Sequence, residues 1–574
     1  MKKIYTSFWF CLVFFSGIAQ TLDWAYSLKS NTVQDQIYDI SSNGTDRFAI
    51  FGLDTQNLDV INGSAEFNNS GKFLAVYNEK AEIQWKQSMY QLSLGIKMNS
   101  ANEVFVTGSF GGTVDFDPSG NVFNLTGEGT NCFLQKFAAD GTFLWAANAQ
   151  TGGGGSEIEQ LADGRIVISG RSDMAGNVTL SDNSTVDLPK GVFLLEFSAD
   201  GKLQNAYSIS VPDAAGYGYV YNLASDASNN IYICGTLDGV ADFDLKAGLS
   251  NNSQTHAYDA FLAKYDSNFN LKWYKVFGDQ NVSPFGWDKA HSMAVDPSGN
   301  LFVGGEFTWT TDFDPVANKG KTQLISDTRT QAPSGFIMQY ASDGTLNWVK
   351  EIGAPNQDTG KFGENRVRGI QLQGNTLYAW IENTKYCDAD PSEAEKIYTS
   401  TGASNLIFAS YSVDGELQNS FMIDAALNYT ISAGIEMLGN DSFVTSGTFQ
   451  KETDFDPTPE TMLLKTNPAG AFYWADLDTY MAKYNFGTPT KTQNFALVEE
   501  IQVFPNPFQS EIRIKSVIGK SVRHIRLFSV DGKLTFEAYN PNNQVSVLNL
   551  KSGIYIYELV FDDNSVAYGK IVKQ

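Results

Sequence analysis

Five aspartate pairs carry the most regular chemistry in this chain. Asp115 and Asp117, Asp242 and Asp244, Asp312 and Asp314, and Asp454 and Asp456 each flank a phenylalanine, and Asp388 and Asp390 flank Ala389. In an extended segment residues i and i+2 point the same way, so both carboxylates face one side and the apolar residue faces the other. Two such oxygens supply part of what a Ca²⁺ ion needs, about six to eight oxygen ligands. The competing reading is structural: the Phe anchors a loop, the carboxylates accept backbone N–H bonds in Asx turns, and a proline ends the strand. Nothing provides the third oxygen and Gly of an Asp-x-Asp-x-Asp-Gly loop, and recurrence in five copies suits a structural part better than a single active site. No cofactor is expected, with Ca²⁺ the one ion left open.

Catalytic constellations are thin. His256 and His291 stand in the central region and His524 near the C-terminus, so no three-His metal site can be assembled. Gly-x-Ser-x-Gly, His-Glu-x-x-His and a phosphate-binding Gly loop are missing. No catalytic residue is assigned. Trp287, Asp288, His291, Asp358, Glu364 and Arg366 crowd two long loops and form the candidate binding rim. A carboxylate pair there would do acid–base work on a glycan if the groups stood about 5 to 10 Å apart.

The elements that must position these residues repeat along the chain. A Gly-ended strand occurs at 48–52, 104–108, 166–170, 231–235, 301–305 and 443–447, with Leu377 to Trp380 in the sixth copy. An aromatic-Leu-x-Lys-Tyr strand follows, as in Phe261 to Tyr265, then an Asp-Gly turn and a strand such as Leu346-Asn347-Trp348. A shorter alternating segment precedes each Gly-ended strand. Seven such four-stranded units predict an all-β fold, a seven-bladed β-propeller over residues 20–485. The seventh unit lacks its last strand, and Leu22 to Leu28 is an orphan strand ahead of the first. Pairing the orphan with Tyr480 to Tyr484 closes the ring and leaves no exposed seam. The third and sixth units carry Asn205 and Asn419 where others carry Trp, so those two interfaces should pack differently. The loops after the Gly-ended strands and those between blades emerge on one face, which is where a site is expected.

Composition narrows the partners. Between the signal and the tail, 29 Lys/Arg face 56 Asp/Glu, a charge of about −27 that repels phosphate backbones and argues against nucleic acid. Met1 to Ala19, with Lys2, Lys3 and an apolar run of about 15 residues, reads as a secretory signal, and no later run reaches a bilayer span. Cys132, Cys234 and Cys387 are an odd set at non-equivalent positions and read as buried apolar residues, not a disulfide framework.

The repeat over residues 22–485 resembles the bacterial β-propeller repeats of exported proteins, a likeness that speaks for fold. It departs from the WD type, lacking a recurrent Trp-Asp ending, and from the kelch type, lacking a recurrent Gly pair. Its Asp-Gly-x-x-x-Trp step resembles the blade packing of quinoprotein propellers. After a polar linker at 486–498, residues 499–574 show short alternating strands that fit a small Ig-like β-sandwich. Here Val503-Phe504-Pro505-Asn506-Pro507, Ser529 to Lys533, the Gly553-Ile554-Tyr555 step and the terminal Lys570-Ile571-Val572-Lys573 resemble the type A C-terminal sorting domain of type IX secretion. That resemblance implies Pro505, Asn506, Pro507, Gly553, Tyr555, Lys570 and Lys573 as parts of the sorting signal. It also implies the type IX machinery as a partner, and passage through the periplasm to the outer surface or the medium. The expected function is non-catalytic binding of a protein or polysaccharide; the alternative is an exported glycan-active enzyme or a quinoprotein-like propeller.

Overall fold

The computed structural model describes residues 21–28, 36–53, 71–89, 92–211, 217–246, 252–254, 258–278, 286–314, 323–326, 332–353, 363–392, 394–400, 404–424, 430–440, 442–458, 461–466, 477–486, 501–516, 521–529, 533–539, 544–561 and 566–574. The signal at 1–19, His256, Asp358 and linker residues 487–498 lie outside them. Two compact units divide the chain, one over Gly17–Gly487 and one that includes Thr488–Gln574.

In the larger unit the described strands form six four-stranded antiparallel sheets, four two-stranded ones and one six-stranded sheet, the third below, whose first four strands repeat the common order. The first sheet holds Gln36–Ser42, Arg47–Leu53, Lys72–Asn78 and Ile83–Ser88, and the second Leu92–Met98, Val104–Asp115, Asn124–Phe137 and Phe143–Ala149. The third holds Gly155–Gln160, Ile166–Ser172, Gly191–Phe197 and Leu203–Ser210; the fourth Tyr217–Ser225, Ile231–Asp238, Asp259–Tyr265 and Leu271–Phe277. The fifth holds Lys289–Val295, Leu301–Phe307, Ser334–Tyr340 and Leu346–Ile352; the sixth Asn365–Gln373, Thr376–Asn383, Asn405–Ser412 and Leu417–Ile423. The seventh takes Thr430–Leu438, Ser442–Gln450 and Leu477–Asn485, and its fourth member is the orphan Thr21–Leu28. Leu22 lies opposite Tyr484 and Trp24 opposite Lys483.

Each sheet's leading strand touches the leading strand of the next, and that of the seventh touches that of the first. Side chains tie these strands together around the axis. Asp39 accepts from Ile96 N at 2.8 Å, Asn222 from Met293 N at 3.2 Å and Ser292 from Ile370 N at 3.1 Å. Lys97 pairs with Glu159 at 2.7 Å, Ser225 donates to Glu159 at 2.8 Å, and Gln371 donates to Ile435 O at 3.4 Å. Ser42 donates its hydroxyl to Glu436 at 3.1 Å, which returns the belt to the first sheet.

Apolar faces meet between consecutive sheets. Phe51 and Leu74 of the first sheet pack with Met98, Val106 and Phe133 of the second, all buried. Fully burying such a side chain stabilises by about 1.5 to 3 kcal/mol. The Trp strands add a specific joint. Trp85, Trp273 and Trp348 donate Nε1–H to Ala139 O, Ser342 O and Val413 O of the following sheet at 3.1 to 3.2 Å. Each indole lies over the glycine of that sheet's turn, Gly141, Gly344 or Gly415, all at positive φ. The orphan strand behaves alike, with Trp24 Nε1 donating to Glu79 O of the first sheet at 3.0 Å.

Both sheets that lack this Trp have a substitute. At the third sheet, Arg165 Nη1 reaches Ser267 O of the fourth at 3.0 Å, and Tyr207 stacks on Phe269 at 4.2 Å in the place of a turn glycine. At the sixth, the next sheet has its third and fourth strands from opposite chain ends, so no turn joins them to receive an indole. Phe486 packs there against Phe421 at 5.9 Å.

The C-terminal unit has a three-stranded sheet, Ile501–Phe504, Glu511–Ser516 and Gln544–Ser546, and a four-stranded sheet. The latter runs in the order Leu534–Tyr539, Val522–Ser529, Gly553–Phe561, Val566–Lys573. Phe508, Ile512, Ile525, Leu559 and Ile571 form its buried core. Cys132, Cys234 and Cys387 are free and buried, and burial pushes all three thiols up, Cys132 to about 12.

Candidate functional site at the channel mouth

Every leading strand contains one bulge, at the same point. The extra residues are Tyr38, Leu94, Ser156, Tyr221, His291, Arg368 and Ala433, sheets one to seven in turn. A bulge re-aims the residue it inserts. Tyr38, Tyr221, His291, Arg368 and Ala433 accordingly line one axial cavity of about 450 Å³. The bulges are shared, whereas their side chains are not: the bulky polar ones fall on sheet one, as Tyr38, and on consecutive sheets four, five and six.

Two residues ahead of each of these bulges stand Tyr219, Lys289 and Arg366, and the second strands of sheets five and six contribute Glu306 and Glu382 at equivalent positions. Lys289, Arg366, Glu306 and Glu382 form one ion-pair network, while Tyr219 is bonded by Arg171 of the third sheet. Glu306 is buried and accepts from Arg366 Nε at 2.6 Å, Lys289 Nζ at 3.1 Å and His291 Nε2 at 3.1 Å. Arg366 also reaches Glu364 at 2.6 Å and Glu382 at 3.8 Å, while Arg368 Nε donates to Glu382 at 2.7 Å. Tyr221 packs on His291 at 5.3 Å, and Lys289 Nζ stands 4.8 Å over the ring of Trp287, which is 53% exposed.

Burial alone would raise the Glu306 carboxyl, but His291, Lys289 and Arg366 outweigh it and hold it far below the usual range. Burial pushes His291 down against the opposing pull of Glu306, so the ring is neutral at pH 7. The permanent cations Lys289 and Arg366 then carry the stabilisation of Glu306. Nε2 of a neutral His291 cannot both donate to Glu306 and accept from Arg368 Nη1, 3.2 Å away; the ionised carboxylate is the stronger partner and takes the proton.

Arg368 is the pivot of the mouth, because it lines the axial cavity and two flanking ones. The first, about 390 Å³, is bounded by Tyr38, Trp380, Glu382, Leu406 and Thr448; the second, about 520 Å³, by Trp287, Lys289, Glu306, Glu364 and Arg366. Trp380 is 9% exposed, its ring fills the space over Gly369, and its Nε1–H has no hydrogen-bond partner. Deeper in the channel Asp39, Glu157, Glu159 and Glu436 meet Lys97. Burial pushes Asp39 and Glu436 up to about 7 and raises Glu157 well above its usual range.

The sequence-derived rim is partly assembled. Arg366 and Glu364 bond directly and His291 joins them through Glu306, while Trp287 stands beside Lys289. Asp288 departs from the expected rim: it is fully buried and accepts from Thr308 N at 3.0 Å and Thr311 Oγ1 at 3.3 Å, holding the loop from inside. Lys289, Glu306, Arg368, Trp380 and Glu382 were not singled out from the sequence. The available signal was the sixth copy, where Ile381 replaces the strand glycine and Trp380 precedes it.

The aspartate pairs take the same local form in each copy. The first Oδ1 accepts the backbone N–H of the second Asp at 3.0 to 3.2 Å, at Asp115, Asp242, Asp312, Asp388 and Asp454. Asp115, Asp388 and Asp454 accept a second, from Phe123, Lys396 and Met462, at 2.8 Å. Asp117, Asp244, Asp390 and Asp456 accept the N–H two residues on at 2.8 to 3.1 Å, and Asp314 stands 3.5 Å from Lys275. The residue between each pair is buried, and its carbonyl is capped by Tyr265, Tyr340, Tyr411 or Tyr484, or by Gln135 in the second sheet. Among the described residues no group of three His, Cys, Asp or Glu is placed to hold a metal ion.

In the C-terminal unit Asn506 clips the Pro505-Asn506-Pro507 segment to the last strand, donating to Lys570 O at 3.1 Å and accepting from Val572 N at 2.9 Å. Lys573 is buried and donates to Gln509 O and Val547 O, and Tyr555 donates to Lys551 O at 2.7 Å. Gly553 and Lys570 are exposed.

Residues 502–574 match the family described as secretion system C-terminal sorting domain. No curated protein matches the chain. Among solved structures it is similar to the RRP9 WD40 repeats, at 8% identity over 82% of this chain and 100% of that one, TM-score 0.40. It is also similar to PorZ, a surface component of the type-IX secretion system of Porphyromonas gingivalis, at 13% identity over 94% and 81%, TM-score 0.20. A third is a protein of unknown function from Bacteroides caccae, 7% identical over 55% and 81%, TM-score 0.27. The fold reading rests on the strand pairing described above. The chain is thus an all-β repeat protein with a type IX sorting domain at its C-terminus, a domain that implies export to the cell surface or the medium. No helix among the described residues is long and apolar enough to cross a membrane.

Proposed function

We propose that this is an exported seven-bladed β-propeller that binds a protein or polysaccharide at its channel mouth and catalyses no reaction, with an Ig-like sandwich serving secretion. The observation that carries the reading is the gathering of Tyr221, Lys289, His291, Arg366 and Arg368 on three consecutive sheets at one channel end. Recognition sites combine aromatic walls with a few fixed polar groups in this way. Glu306 is held ionised by its cations, so this carboxyl at the mouth does not keep the proton that a glycan-cleaving acid delivers.

The test is binding of the mature exported protein to glycan and protein arrays, alongside an assay for glycan cleavage. Arg366→Ala should abolish capture of whatever the array reveals. Product release from any glycan, or capture indifferent to Arg366, contradicts the reading. Removing residues 502–574 should leave the chain in the periplasm.

A further inference from the structure

We propose that the cavity beside Trp287 is a subsite for a carboxylate-bearing sugar, a uronate residue of a glycan, with the Arg368 guanidinium clamping the carboxylate and the Trp287 indole carrying the ring. The inference rests on the binding reading above and names the ligand class of that site.

The cavity, of about 520 Å³, has the volume of a small-molecule site, about 300 to 1,000 Å³. Its key groups are open to solvent: Trp287 is 53% exposed and the Arg368 side chain 35%. Arg368 commits Nε to Glu382, and its Nη1 faces His291 Nε2, whose proton already goes to Glu306. Both Nη groups are therefore left for an acceptor from outside. Lys289 has three N–H donors, of which Glu306 takes one. Around the cavity Lys289, Arg366 and Arg368 stand against Glu306 and Glu364, one cation in excess on a chain whose net charge is -24. Glu382, which bonds Arg368, lines the neighbouring cavity instead.

Ligand classes separate on this chemistry. A hydrocarbon would strip water from Arg368 and Lys289 and return no hydrogen bond. A neutral polyol would leave the excess cation unanswered, whereas a carboxylate accepts two N–H bonds from one guanidinium in a charge-assisted pair, the stronger kind. A long polyanion is repelled by the acidic surface beyond the cavity, so a single carboxylate fits and a run of them does not. An Asp or Glu side chain of a protein supplies the carboxylate but no flat apolar face for Trp287 and Pro333, which also line the cavity. A uronate carries both on one rigid ring. Lys289 Nζ stands 4.8 Å from the centre of the indole, so a cationic donor lies beside the aromatic surface just as the carboxylate lies beside the C–H face of the sugar.

The experiment is calorimetric titration of the mature protein with uronate di- and trisaccharides (glucuronates, galacturonates and mannuronates), each against its carboxyl-reduced form, and with acidic peptides, repeated on Arg368→Gln and Trp287→Ala. A uronate should bind at least tenfold more tightly than its reduced form. Arg368→Gln should erase that preference, while Trp287→Ala should weaken both forms at least tenfold and keep it. Both substitutions fall on exposed or partly exposed side chains, so wild-type melting profiles on both show that the loss is at the ligand. Equal affinity for the two forms, a preference that survives Arg368→Gln, or capture of peptides alone overturns the inference while leaving the binding reading in place; binding of neither glycan nor protein removes both.

Discussion

The indole of Trp85 occupies the space a side chain on Gly141 would need: a Cβ on Gly141 would lie 2.7 Å from Trp85 Cδ2. The two residues belong to consecutive sheets, and the turn glycine at φ 83° is where the second sheet receives the first. This contact explains why an Asp-Gly turn and a Trp strand recur together: the glycine of one unit serves the tryptophan of the unit before it.

Gly141→Ala should therefore cost more than a positive φ alone. The left-handed backbone costs a non-glycine residue about 1 to 2 kcal/mol, and displacing the indole adds to that, for an expected loss of roughly 3 kcal/mol. Gly112, at φ 73° with nothing within 4 Å of its Cβ position, is the control and should lose only the backbone part. Urea melts of the two variants decide; equal losses would mean that the indole contact carries no load.

The ring seam gives a second expectation. Trp24 stands 6.3 Å from Phe48 of the first sheet while its own strand pairs with Leu477–Asn485 of the seventh. Trp24→Ala removes a partly buried ring and one hydrogen bond, a loss of about 2 kcal/mol, below the roughly 3 to 5 of a fully buried Trp. Amide exchange should rise together in residues 21–28 and 477–485 and stay unchanged in the second sheet. A rise limited to the neighbourhood of Trp24 would show that the seam does not hold the ring.

Much of this architecture was legible because one pattern repeats seven times. The Phe-Leu-Ala-Lys-Tyr run marks a strand buried on both faces, with Phe261 and Tyr265 packed to one side and Leu262 to the other, and the chain's excess strand before the first unit states what the seventh lacks. The exceptions at Asn205 and Asn419 were visible, but their reasons were not: Arg165 lies far from Asn205 in sequence, and Phe486 follows the last strand as an unremarkable residue. The mouth was harder for the same cause. Glu306 and Arg366 are separated by a whole unit, and only the ring places them 2.6 Å apart. Asp288 and His291 looked alike as polar residues beside a loop, and one bulge decides that His291 enters the channel.

The aspartate pairs should behave as loop fasteners. Asp454 Oδ1 holds both Asp456 N and Met462 N, so Asp454→Ala should cost roughly 2 kcal/mol by leaving two backbone donors without their acceptor, and Asp454→Asn about half as much. Adding millimolar Ca²⁺ or a chelator should leave the melting temperature of the wild type unchanged. A Ca²⁺-dependent rise, which mass action requires of any ion bound to the folded state alone, would reassign the pairs as ligands.

The channel carboxyls set the pH response. Glu436 and Asp39 are displaced upward to about 7, chiefly by burial, and Asp39 further by the Glu436 charge, against the pull of Lys97 and of the N–H groups of Ile96 and Ser42. They line a narrow passage, so protein surrounds them while solvent still exchanges their protons. Between about pH 4 and 7 the folded chain then holds more protons than the unfolded one, and stability falls as pH rises through that window. Glu351, also pushed to about 7, acts in the same direction. Glu306, held low by its cations, acts in the opposite one, losing its contribution only as pH falls below the usual carboxyl range. Glu436→Gln keeps an oxygen for Ser42 and removes the charge that burial opposes. It should stabilise the protein above pH 7 by an amount on the order of 1 kcal/mol, flatten the decline between about pH 4 and 7, and change little at about pH 4. Urea midpoints across that range measure it, and a variant that declines as steeply as the wild type would show that Glu436 does not carry the raised proton affinity.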